Sequence, residues 1–134
     1  MHIDDSVSSL SAILLNSDYY ELLLAGRDVI DGISILRPSY LLPLKAKAWL
    51  DLTNKKADGL HVDSRDIKKH KNDVLRIAAE LVLEENIALQ QAVKDDMQMF
   101  IDQLRIDGIQ PGLPFLKNVS PNNILSLLEE RYCR

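Results

Sequence analysis

Lys45 sits in an apolar segment, Leu41-Leu-Pro-Leu-Lys-Ala-Lys-Ala-Trp-Leu-Asp-Leu52, whose spacing is helical. At about 100° per residue, Leu41, Leu42, Ala48, Trp49 and Leu52 all fall within about 60° of Lys45. An ammonium among such neighbours is costly unless it finds an anionic partner. Two readings follow. The side chain can snorkel, its stem packed and its charge at the rim of the core. Alternatively it forms a cationic site for phosphate or carboxylate. Lys47 falls about 160° from Lys45 and is expected on the solvated side. Trp49, one turn on, is expected as a core anchor.

A second segment carries complementary groups: Asp66-Ile-Lys-Lys-His-Lys-Asn-Asp73. With His70 as origin, Ile67, Val74, Ile77 and Leu81 lie within about 60°. Asp66 and Asp73 lie about 40° and 60° to one side, with Lys69 about 100° to the same side. Asp66 with His70, and Lys69 with Asp73, are i, i+4 pairs. They read either as helix-surface ion pairing, worth a few tenths of a kcal/mol per pair, or as the second wall of a phosphate or nucleotide site facing Lys45. Arg65, Lys68 and Lys71 are spread around the helix and read as solvated. His2 and His61 have no ligand spacing to His70, so no metal site is expected. The five glycines are scattered and form no phosphate-binding loop, and G-x-S-x-G, H-E-x-x-H and C-x-x-C motifs are absent.

The elements that position these residues are mostly helical. Val7 to Leu15 reads as a strand. Ser17 reads as the N-cap of a helix from Asp18 to Ala25, with Gly26 as its C-terminal stop. Val29 to Leu36 reads as a second strand, in which Gly32 marks a bulge or a close approach. A long helix is predicted to start between Ser39 and Pro43 and to reach Lys55, Pro43 lying in its first turn. Further helices are predicted over 64–83, over 90–105 with Val93, Met97, Phe100 and Leu104 inward, and from Pro121 to Tyr132 after the Ser120 cap. The fold class is therefore α+β: two short N-terminal strands with a helix between them, then a four-helix C-terminal part. One domain is expected over 1–134. Two short strands do not make an independently stable sheet, so more strands, a partner chain or helix cover are needed.

Composition bounds the function. Of 134 residues, 46% are hydrophobic and 27% charged, ordinary values for a globular chain with its own core. A net charge of -4 argues against a surface built throughout for nucleic acid. The single cysteine, Cys133, allows no internal disulfide and points to a cytoplasmic location. No apolar run approaches the roughly 20 residues that span a bilayer.

Three stretches carry a resemblance: Val7-Ser-Ser-Leu-Ser-Ala-Ile-Leu-Leu15 with Asp18-Tyr-Tyr20; Leu41 to Leu52; and Asp66 to Val74. From about Val7 to Leu83 the chain resembles bacterial proteins of the nucleotidyltransferase-like superfamily, in particular the AbiEii/AbiGii-type toxin-like family. The resemblance implies that Lys45 matches a K-x-x-A lysine contacting nucleotide phosphate. Asp73, or secondarily Asp66, would match an acidic catalytic residue on the next helix, with Lys69 and His70 as neighbours in the nucleotide site. It also implies Mg2+ and a nucleoside triphosphate for a complete enzyme. The family's Gly-Ser motif followed by a metal-binding D-x-D is missing here, and Asp4-Asp5 is not that motif. Residues 1–37 then read as a remnant of a nucleotidyltransferase-type sheet and 38–134 as the helical part. The chain is expected to be the C-terminal portion of a longer protein or a degenerate member, inactive alone. Its partner would be the missing N-terminal core or a second copy. The alternative is a non-enzymatic interaction or oligomerisation module.

Overall fold

The computed structural model describes residues 11–110 and 112–134. The described elements run in the order α1 (Ser17–Gly26), β1 (Arg27–Ile30), β2 (Ile33–Leu36), α2 (Pro38–Ala57), α3 (Ser64–Glu80), α4 (Gln91–Asp107), a 3-10 turn (Pro114–Leu116) and α5 (Pro121–Tyr132). The architecture is α+β and mostly helical, as expected. The strands differ in placement. They are consecutive and pair antiparallel, Arg27 opposite Leu36 and Ile30 opposite Ile33. No helix separates them; α1 precedes both. The expected strand over 7–15 lies partly outside the described residues, and Ser11 to Ile13 are helical rather than extended. Ile13 is buried in a cluster with Tyr19 and Leu22 of α1 and with Leu44 and Ala48 of α2. A helical turn serves that contact.

The turn between β1 and β2 is Asp31-Gly32, with φ of 52° and 78°. Both values are positive, as a two-residue type I′ hairpin turn requires, and Asp-Gly is among the sequences that adopt it most readily. Gly32 is thus a turn residue and not a bulge within one strand. Gly26 is likewise not a left-handed stop. It is the last residue of α1, followed by an extended Arg27. A Cβ at Gly26 would overlap the Tyr40 side chain, so close packing is what excludes a larger residue there. Asn16, and not Ser17, caps α1 by accepting from the Asp18 backbone N–H at 2.9 Å.

Helix α2 is the centre of the molecule and packs on α1, α3 and α4. Leu42, Ala46, Trp49 and Leu50 face a core built with α3, α4 and α5. Leu44 and Ala48 face the other way, toward α1 and Val93. The edge of Trp49 meets the Phe100 ring at 5.3 Å and 88°, a favoured aromatic arrangement. The inward face predicted for α4 (Val93, Met97, Phe100, Leu104) is fully buried. On α3, His70 and Val74 are buried while Leu81, beyond the end of the helix, is 45% exposed.

Because α2 starts at Pro38, Pro43 lies in its interior and not in its first turn. Proline has no N–H, so the Ser39 carbonyl loses its i+4 donor. The Tyr132 hydroxyl of α5 donates to that carbonyl instead, at 2.7 Å. The Ser39 hydroxyl accepts from the Glu84 backbone N–H at 2.8 Å. One buried serine therefore ties α2 to the α3–α4 connection and to α5. Burial holds the Tyr132 phenol well above the usual tyrosine range, so it stays a donor. Tyr132→Phe is expected to destabilise the fold by about 1–2 kcal/mol in urea denaturation, because it leaves a buried carbonyl unsatisfied. Pro43→Ala restores an N–H at the right position. In the double variant the loss should be smaller than the two single effects added, giving a non-zero coupling energy.

Candidate functional site

Helices α2 and α3 lie against each other, joined by the short 58–63 connection. This hairpin of helices brings Lys45 to Asp73. The ammonium reaches Asp73 Oδ2 at 3.1 Å, with side-chain exposures of 15% and 27%. The pair is mostly withdrawn from water yet open on one side. That answers the question posed by Lys45: its stem packs with the apolar face and its charge meets a carboxylate on the neighbouring helix. An ammonium has three N–H donors. Asp73 takes one direction, so Lys45 keeps capacity for a second oxygen acceptor. Asp73 in turn has a second oxygen available for an N–H or O–H.

The remaining predicted residues distribute by exposure. Asp66 is half-buried, Lys69 is exposed and His70 is fully buried. His70 packs beneath the α2–α3 contact and belongs to the core, so direct reach to a ligand falls to Lys45, Asp73, Asp66 and Lys69. Among the described residues, no group of three or more His, Cys, Asp or Glu side chains is placed to hold a metal, and no helix is long and apolar enough to cross a membrane.

A second ionic cluster was not anticipated. Lys47 pairs with Asp96 Oδ2 at 3.3 Å and with Asp51 Oδ1 at 3.5 Å. The buried Tyr19 hydroxyl donates to the same Asp96 oxygen at 2.7 Å. Lys47 also lies 5.9 Å from the Tyr19 ring centroid, within cation–π range. Burial, reinforced by Asp96, pushes the Tyr19 phenol far above its usual range. Lys47 is therefore not a solvated residue. The helical wheel placed it opposite Lys45 correctly, but α1 and α4 cover that side. Only a prediction of which helices flank α2 could have revealed this. The i, i+4 spacing of Lys47 and Asp51 was the one local signal.

Comparison of the chain with protein-family models, with curated proteins and with solved structures returned no match.

The Lys45–Asp73 contact has a measurable structural consequence. Lys45→Met keeps the apolar stem and strands the Asp73 carboxylate. It is expected to cost roughly 1–3 kcal/mol by chemical denaturation. Adding Asp73→Leu should recover most of the loss, because replacing both members of a buried pair by apolar groups is far less costly than removing one.

Proposed function

We propose that this chain is the helical portion of a nucleotidyltransferase-like protein, in which Lys45 contacts a nucleotide phosphate and Asp73 orients it. The observation that carries this reading is the 3.1 Å contact between Lys45 and Asp73 across α2 and α3. These are the two residues that the resemblance assigns to the phosphate and acidic positions. A carboxylate held on one side of an ammonium fixes its direction and leaves its other N–H groups aimed outward. Lys69, exposed on the same flank, adds positive charge where a phosphate would approach. Metal-binding carboxylates and further strands would be contributed from outside the described residues. In this reading Mg2+ neutralises the triphosphate charge when bound. This chain's own residues grip one phosphate and position the acceptor.

The test is nucleotide binding by the full-length gene product. ATP and GTP titrations are expected to show at least about tenfold weaker binding for Lys45→Ala, the scale of one charge-assisted phosphate contact. Unchanged binding with an intact fold would sink the assignment of Lys45.

A second reading rests on a separate observation. The β1–β2 hairpin exposes Val29 (58%), Ile30 (53%), Ile33 (65%) and Ile35 (41%). A two-stranded sheet with apolar side chains on view has N–H and C=O groups free to pair with another strand. This favours an interaction module that docks through the hairpin. Paired substitutions Val29→Lys and Ile33→Lys are expected to lower the mass seen by light scattering, or to abolish capture of a partner, without lowering the unfolding midpoint. A wild-type chain that is monomeric and captures nothing argues against this second reading.

A further inference from the structure

The face of α3 turned away from Asp73 holds a cavity of about 310 Å³. Lys56 from the end of α2 and Lys68 and Lys71 from α3 line it. Its apolar floor includes the half-buried Ile67 and Leu113 as well as the buried Trp49 and Leu75. Ser64, Asn72 and Gln110 add neutral hydrogen-bonding groups, and among the described residues no Asp or Glu lines it. Three lysines lining one cavity, with no carboxylate among the described lining residues, run against the chain's net charge of -4. The half-buried Lys45 and Lys47 each have a carboxylate at 3.1–3.5 Å. Here Lys56 instead donates to the Ser64 hydroxyl at 2.6 Å. That bond holds its ammonium beside the first turn of α3. On the sequence alone Lys68 and Lys71, with Arg65, read as solvated residues spread around the helix. Both line this cavity because it wraps around the outer flank of α3.

We infer that this cavity binds a phosphate monoester with an apolar or aromatic body, of nucleoside-monophosphate size. Each half of the cavity selects one half of such a ligand. Lysines at the wall suit a dianionic phosphate, for which ammonium groups act as point charges. The half-buried Ile67 and Leu113 suit an apolar body and would stay exposed to water with inorganic phosphate alone. The volume lies at the small end of ligand-sized cavities, about 300–1,000 Å³. That size favours a monophosphate over a triphosphate or a polymer. The site is separate from the Lys45–Asp73 pair, and its failure or success leaves that reading untouched.

Trp49 is the chain's only tryptophan, so its fluorescence reports directly on the floor of the cavity. Titration with AMP, followed by Trp49 fluorescence and by calorimetry, is expected to show saturable one-site binding that weakens as salt rises. Lys68→Gln with Lys71→Gln should weaken AMP binding by about tenfold or more. Lys55→Gln, a loss of charge at an exposed residue that does not line the cavity, should change it by less than about twofold. Inorganic phosphate should bind more weakly than AMP. Equal affinity for the two would overturn the role of the apolar floor. Binding of a single-stranded RNA with no binding of AMP would overturn the monoester in favour of a polymer. AMP binding insensitive to the lysine double variant, or no Trp49 response to any probe, would overturn the site itself.

Discussion

Helix α2 is enclosed by α1 on one side and by α3 and α4 on the others, and this enclosure governs the rest of the structure. A helix buried all round normally carries no polar groups. This one carries Ser39, Lys45 and Lys47, and it contains an internal proline. Every one of these creates a demand that a neighbouring element has to meet. Tyr132 meets the carbonyl orphaned by Pro43. The Glu84 backbone meets the Ser39 hydroxyl. Asp73 meets Lys45, and Asp96 with Asp51 meets Lys47. The apolar contacts supply most of the stabilisation, but these polar contacts set which helix lies on which side of α2.

The same enclosure divides the charged residues into three environments. Lys47 is locked between α1 and α4 by two carboxylates and a phenol, a structural network with little left to offer a ligand. Lys45 is held by one carboxylate and keeps an open side. Lys56, Lys68 and Lys71 surround a cavity that no described carboxylate enters. The potential for binding an anion rises in that order, because a cation already compensated at short range attracts a further anion less. The β hairpin is the opposite case. Val29, Ile30, Ile33 and Ile35 are exposed, and among the described residues its strands pair only with each other.

Much of the local structure was legible in the residues. The helices over 38–57, 64–80, 91–107 and 121–132 follow from apolar spacing and from proline and cap signals, and the inward face of α4 was read residue by residue. The hairpin was missed: a single strand through Gly32 fitted the alternation, and the Asp31-Gly32 turn signal between two β-branched runs was passed over. Within the stretch read as a strand over 7–15, the described Ser11 to Ile13 are helical, because an apolar run satisfies strand and helix templates alike. For the candidate site, the separation of Lys45 from Lys47 and the shared flank of Asp66, Lys69, His70 and Asp73 came from the wheel alone.

The amino-acid sequence by itself determined which residues share a helix face, since 3.6 residues per turn is a property of the backbone and not of the surroundings. Only the tertiary structure decided what each face meets. Lys47 was placed opposite Lys45 by periodicity, but the arrival of α1 and α4 on that side made it a half-buried ion-pair member. Lys68 and Lys71 were read as spread around α3 and solvated, but the end of α2 with Gln110 and Leu113 made a cavity that both of them line. Pro43 was expected to start a helix, and the hydroxyl of Tyr132, distant in sequence, allowed it to sit inside one. In each case the deciding partner lies on another element. Its position is set by the joint packing of several helices, and no local pattern carries that information.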